Sequence, residues 1–209
     1  RMQDMAEQKN IRQNNNKRHD VRGKSDYTYF LVLGILLFYV STFLDRYVYS
    51  AFEIASMPLL ESVFSIITNF GVVIVLFLAM PSIMFYKKDS KAVCFLILAF
   101  VSAFLISFIL KLIVLRQRPL ETLAYPLINI INYSFPSMHS MVVFALLPFL
   151  IYFMPKQKYF WVIAAILVAF TRIYFSFHYL SDVVFGIVAG YSIGEFLLML
   201  HKRGRLWKS

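Results

Sequence analysis

Long uncharged apolar runs, separated by short polar intervals, organise this chain. Residues 27–44 carry no charged side chain, 62–86 form a second uncharged run of 25, and 92–110 a third of 19. Beyond a polar interval, 138–154 is apolar apart from His139 and Ser140. The run 159–175 contains a single charge, Arg172, and 183–200 a single charge, Glu195. A helix needs about 20 apolar residues to cross the hydrocarbon core. Barrel strands are shorter, at about 9–11 residues, and alternate in polarity. The pattern therefore predicts an all-α polytopic membrane protein. Its single domain, 27–200, is expected to be a six-transmembrane-helix bundle, with spans over about 27–44, 62–86, 92–115, 137–154, 158–175 and 180–200. The first run is too long for a signal peptide and no small-x-small cleavage site follows it, so it reads as a retained span. Residues 1–26 read as a flexible basic tail and 201–209 as a second basic tail. The segment 45–61 mixes Arg46, Glu53 and Glu61 with aromatic residues, and reads as an interfacial amphipathic helix broken at Met57-Pro58.

Composition supports the membrane reading. The chain of 209 residues is 60% hydrophobic and only 15% charged, against about 45–50% and about 25% in soluble domains. Such hydrophobicity also excludes a disordered chain. One cysteine, Cys94, excludes a disulfide framework and a cysteine-based zinc site, and reads as a packing residue.

The net charge of +10 becomes informative once it is divided by side. Six spans put both termini on one side, and sixteen of the twenty-one Lys and Arg residues fall there. The positive-inside rule makes that side cytoplasmic, in a plasma (inner) membrane. The surplus is thus an orientation signal. Nucleic-acid binding is not expected, because no aromatic platform accompanies the basic tail. Only Arg46, Lys111, Arg116, Arg118 and Arg172 fall on the other side. A cation beside hydrocarbon costs about 2.5–3.5 kcal/mol on insertion scales, which makes these positions functional candidates.

Three motifs collect there. Lys111 and Arg118 stand seven apart, ahead of Pro119, and are expected on one helix face two turns apart. They suit either a phosphate or a role as snorkelling end-anchors. In Ser134-Phe135-Pro136-Ser137-Met138-His139-Ser140, Ser137 is placed to cap the fourth span. The unpaired N–H groups of that helix start suit an anion, with His139 in the first turn. In the third motif, Thr171-Arg172 precedes His178 and Asp182, which are i and i+4 and would face each other on a helix. A carboxylate on one imidazole nitrogen leaves the other free as nucleophile or base, although such a pair also serves as a plain helix cap.

Taken together, these motifs resemble the type 2 phosphatidic acid phosphatase (lipid phosphate phosphatase) superfamily, in its bacterial membrane form. That family's signature is Lys, six residues, Arg-Pro; then Pro-Ser-Gly-His; then Ser-Arg, five residues, His, three residues, Asp. Every spacing is met here, with Met138 in place of the glycine and Thr171 in place of the serine. The resemblance implies that His178 attacks phosphorus and forms a phosphohistidine, oriented by Asp182, while His139 protonates the leaving oxygen and then activates water. Lys111, Arg118, Arg172, Ser137 and the Met138 N–H would bind the phosphoryl oxygens. Arg116 and Glu121 are candidates for a headgroup contact or for solvated loop charges.

No metal or other cofactor is expected, since only Glu121 and Asp182 lie near the motifs as carboxylates. The implied partners are membrane lipids and a lipid phosphate substrate: undecaprenyl diphosphate, phosphatidylglycerol phosphate or phosphatidate, at the outer membrane face. The alternatives are a lipid A or other glycolipid phosphatase or phosphotransferase on the same scaffold, and a non-enzymatic lipid-phosphate transporter or receptor.

Overall fold

The computed structural model describes residues 2–53, 58–119 and 133–206, with side chains over 27–52, 58–119 and 133–204. All regular structure among them is helical. In chain order the elements are α1 (Met2–Glu53), α2 (Pro58–Ile67), α3 (Phe70–Ile74), a π-helical turn (Val75–Ala79), α4 (Met80–Tyr86), α5 (Ser90–Val114), α6 (Met138–Phe153), a 3₁₀ turn (Pro155–Gln157), α7 (Lys158–Tyr174) and α8 (Leu180–Leu206). The chain divides into two compact units. Arg1–Leu37 holds the first part of α1, and Phe38–Ser209 holds everything that builds the site.

Backbone helix extends from Met2 through the residues read from sequence as a flexible tail. That stretch is rich in Lys, Arg and Gln, all good helix formers, and contains one glycine and no proline. The interfacial helix expected over 45–61 does not form as such. Residues 45–53 continue α1, residues 54–57 lie outside the described residues, and a new helix starts at Pro58. The reason is visible at Asp45, which is buried and bonded to the Arg116 guanidinium and the Ser181 N–H rather than lying along a membrane surface.

Among the described residues, three helices are long and apolar enough to cross a membrane: Tyr27–Phe52 within α1, Ser90–Val114 and Leu180–Gly204. A fourth is added if the bent pair Pro58–Ile67 and Phe70–Tyr86 counts as one span. The bend of 48° falls at Thr68-Asn69, where the Asn69 side chain accepts from the N–H groups of Gly71 and Val72 and restarts the helix. At a rise of about 1.5 Å per residue, α6 and α7 reach only roughly 24–26 Å, short of the ~30 Å hydrocarbon core. The difference for α6 has a physical basis. Its residues Ser140 to Leu150 are all buried by neighbouring helices, so protein replaces much of the lipid that would otherwise dictate its length.

Helix α6 is the centre of the second unit. Helix α5 turns a stripe of mostly small residues inward (Ala92, Leu96, Ala99, Ala103, Ser107) that ends in Lys111. Helix α8 approaches α6 more closely still, along Gly186, Gly190 and Gly194. A Cβ at Gly190 would stand 2.2 Å from the Met141 carbonyl oxygen, and one at Gly194 2.2 Å from that of Ala145. Only a residue without a side chain allows this approach, the small-x-x-x-small packing of membrane helices. The outward faces are apolar: Ile97, Leu98, Val101, Leu105 and Ile109 on α5, and Tyr159, Phe160, Ile163 and Ile166 on α7. Cys94, read as a packing residue, is exposed on the outer side of α5. A soluble protein would not sustain so much exposed hydrocarbon, whereas a membrane protein meets lipid there.

Candidate active site

The three motifs meet at one end of α5, α6 and α8. Helix α5 stops at Val114, where Leu115 adopts a left-handed conformation (φ 52°) with its N–H on the Lys111 carbonyl. Arg118 therefore stands on a loop, not on the same helical face as Lys111. The sequence spacing had assumed a helix continuing to Pro119, and the left-handed turn folds the loop back instead. Lys111 is 2% exposed, and its ammonium donates to the carbonyls of Tyr133 (2.5 Å) and Ser134 (3.4 Å). Arg118 donates to the Phe177 carbonyl at 3.3 Å.

The third motif is built by a helix ending and a helix beginning. At the end of α7, Ser176 is left-handed (φ 52°), and the N–H groups of Phe177 and His178 both turn back onto the Arg172 carbonyl at 3.1 and 3.2 Å. His178 thereby returns beside Arg172. Two residues later α8 starts, and the Asp182 carboxylate accepts the N–H of Tyr179 at 2.9 Å, the reciprocal half of a capping box. His178 precedes the helix, so the i, i+4 geometry expected from sequence is not strictly helical. The pair still faces, with His178 Nδ1 3.7 Å from Asp182 Oδ2 and both side chains fully buried. The Arg172 guanidinium donates to Thr68 Oγ1, at the bend between α2 and α3, and lies over the Phe177 ring at 4.7 Å.

Ser137 occupies the N-cap position of α6, as expected, but its hydroxyl does not cap the backbone. It pairs instead with Ser140 Oγ at 3.0 Å, while the Ser137 N–H donates to the Asp182 carbonyl at 3.1 Å. That bond joins the second motif directly to the third. The first N–H groups of α6, beginning with Met138, have no partner within the helix and face outward from its start. His139 packs edge-on against Phe70, with ring centroids 4.9 Å apart, and its buried Nε2 has no hydrogen-bond partner. Arg172, His178 and Arg118 all act electrostatically on His139, and Lys111, Arg172 and Arg118 on His178. Two histidines thus lie within electrostatic reach of three cations.

Arg116 turns inward rather than to solvent. It donates to Asp182 Oδ1, Ser181 Oγ and Asp45 Oδ2, each at 2.7 Å, and stacks over the Tyr179 ring at 4.0 Å. Burial works against its charge, but the two carboxylates outweigh that and hold its proton more firmly than water does. Glu121 lies outside the described residues. Sequence reading missed Asp45, Thr68, Ser134 and Ser181. Asp45 is the first residue of the segment 45–61 read as interfacial, and the polar pair Thr68-Asn69 inside an otherwise apolar run was the available sign of a break.

The family model of the PAP2 superfamily matches residues 92–205. The chain belongs to this superfamily. PAP2 membership makes it a membrane phosphatase of the hydrolase class. Phosphatidylglycerophosphatase B of Bacillus subtilis (strain 168) is 28% identical over 172 residues, covering 76% of this chain and 81% of that protein. A crystal structure of a transmembrane PAP2-type phosphatidylglycerolphosphate phosphatase from Bacillus subtilis shares the fold. It covers 84% of this chain and 97% of that one, at 23% identity and a TM-score of 0.64. The PAP2 match begins at the first turn of α5 and includes all three motifs.

One consequence of this burial is measurable. Burial, followed by Lys111, Arg172 and Arg118, pushes the His178 imidazole well below its usual range. The folded protein therefore keeps His178 neutral, while the unfolded chain takes up a proton below about pH 6.5. The unfolded state binds more protons there, so this contribution to stability is full above that value and is lost progressively as pH falls through it. The melting temperature is expected to drop between about pH 7 and about pH 5, and less steeply for His178→Gln. An identical slope in the variant would assign the pH dependence to other groups.

Proposed function

We propose that this chain hydrolyses the phosphate or diphosphate headgroup of a membrane lipid through a phosphohistidine on His178. The observation that carries the reading is the pair of histidines, His139 and the buried His178, within electrostatic reach of Lys111, Arg118 and Arg172, with His178 Nδ1 facing the Asp182 carboxylate. Such an arrangement suits a tetrahedral polyanion, since phosphoryl transfer depends on positioning and charge neutralisation. In the first step the His178 nitrogen turned away from Asp182 attacks phosphorus, an N–P bond forms and the P–O bond to the lipid breaks. His139 gives its proton to the departing oxygen. In the second step His139 takes a proton from water, the resulting hydroxide attacks phosphorus, and the N–P bond breaks to release inorganic phosphate. Asp182 stabilises the positive charge on His178 while the bond exists. Lys111, Arg118, Arg172, Ser137 and the Met138 N–H hold the phosphoryl oxygens. Met138 keeps the N–H that a glycine would offer and adds a side chain beside it.

Phosphatidylglycerol phosphate is the leading substrate, because the relatives are named for it. We read six helical passes, with α6 and α7 as short inner members, both termini in the cytoplasm and the site on the opposite face of the membrane. The support is the distribution of lysine and arginine, sixteen of twenty-one at the ends remote from the motifs. Three cations can take the part that divalent ions play in other phosphatases, so no metal is required.

Purified protein in detergent, given phosphatidylglycerol phosphate, phosphatidate and undecaprenyl diphosphate in turn, is expected to release inorganic phosphate from at least one, undiminished by excess chelator. No release from any of them would defeat the hydrolase reading. Full loss in chelator, restored by magnesium, would overturn the metal-independent mechanism alone.

A further inference from the structure

Arg116 stands on the loop after α5, and its guanidinium contacts Asp45, Ser181, Asp182 and the Tyr179 ring. Its guanidinium forms a bridge. Nη1 holds Asp182 Oδ1 and Ser181 Oγ, and Nη2 holds Asp45 Oδ2. Asp45 in turn accepts the Ser181 N–H at 2.8 Å and the Ser181 hydroxyl at 2.5 Å, so it caps the first turn of α8 from α1. The Arg116 carbonyl accepts the Ser134 N–H at 2.7 Å, and the Ser134 hydroxyl donates to the Gln117 carbonyl at 3.0 Å. The loop that carries Arg116 is thus tied to the segment entering α6.

The consequence falls on Asp182. One of its oxygens is committed to Arg116. The other accepts the Tyr179 N–H and presents its remaining side to His178 Nδ1. A carboxylate held at both oxygens cannot rotate away from the imidazole, and a planar fork matches two carboxylates in a way that a point charge does not.

We propose that Arg116 is a positioning residue for the reaction: by bridging Asp45 to Asp182 it fixes the carboxylate that orients His178, and it does not contact the lipid headgroup. This inference rests on the reading of His178 and Asp182 as the reacting pair.

Arg116→Lys keeps the charge but cannot reach both carboxylates. In the full-length purified protein its kcat is expected to fall about 10- to 100-fold, with KM within about twofold of the parent, because the lost interaction acts on the transition state. Arg116→Ala is expected to lose more, and to regain part of its kcat in millimolar guanidinium, a rescue that a purely structural role would not give. Asp45→Asn is expected to lower kcat in the parent and to add less in the Arg116→Lys background, since the two residues act through one bridge. Thermal unfolding of each variant checks the fold. A folded Arg116→Lys with parental kcat defeats the inference. So does a KM raised about tenfold at constant kcat, which is the signature of a headgroup contact. If Arg116→Lys does not fold, parental kcat in Asp45→Asn defeats it. Retained activity in His178→Ala would instead defeat the underlying assignment, whatever the Arg116 variants do.

Discussion

His178→Ala is expected to abolish turnover, with kcat reduced by about 10⁴-fold or more and substrate binding little changed. The imidazole is 3% exposed and faces Asp182. Lys111, Arg118 and Arg172 are all close enough to act on it. On the proposed mechanism, removing it takes away the nucleophile while leaving the cations assigned to the headgroup. Removing the nucleophile of a covalent mechanism costs about 10⁴–10⁶ in kcat, and the residual rate comes from the binding groups that remain. The measurement is phosphate release under saturating lipid, together with the apparent affinity of the variant for the same lipid. The result also separates an enzyme from a lipid-phosphate transporter or receptor. A transporter would keep its biological activity in His178→Ala, because the cations that recognise the headgroup are intact. Turnover within tenfold of the parent would remove His178 from the mechanism.

The second large effect lies away from the chemistry. Gly190→Leu is expected to prevent α8 from docking on α6, because even a Cβ would stand 2.2 Å from the Met141 carbonyl oxygen and 2.9 Å from its carbon. Backbone cannot yield as the end of a flexible side chain does. The cost therefore exceeds the about 1–3 kcal/mol of ordinary overpacking and reaches the range of about 4–5 kcal/mol in which marginally stable proteins unfold. The expected outcome is loss of monodisperse protein in detergent, and of activity with it. Gly204→Ala is the matched control. A Cβ there meets nothing within 4 Å, so that change is expected to be neutral, or to stabilise by about 0.5–1 kcal/mol through helix propensity. A Gly190→Leu variant that melts with the parent would refute the close contact.

These two effects show which parts of the molecule a linear reading reaches. The helices were legible because lipid imposes length and apolarity along a segment, and both are one-dimensional properties. The runs at 92–115 and 158–175 accordingly lie within one residue, at most two, of α5 and α7. The motifs were legible because their spacing was intact. What spacing could not say is how the backbone runs between motif members. Lys111 and Arg118 converge across a left-handed Leu115 rather than along a helix, and His178 meets Asp182 across a helix start. Asp45 was misread because its partners, Arg116 and Ser181, lie 71 and 136 residues away. The glycines at 186, 190 and 194 were open to the same small-x-x-x-small reading as any membrane helix pair, but their partner helix was not.

The backbone contact between α6 and α8 also governs how freely this sequence can change. His139 stands on α6, and His178 and Asp182 flank the start of α8, so the distance between these three residues depends on the close approach at three positions that hold no side chain at all. Outward positions such as Ile97, Ile109 and Ile163 answer only to the hydrocarbon around them, and any residue of comparable oiliness serves there. Most of the apolar surface is therefore free to drift, while the register of the chemistry is stored where there is nothing left to remove.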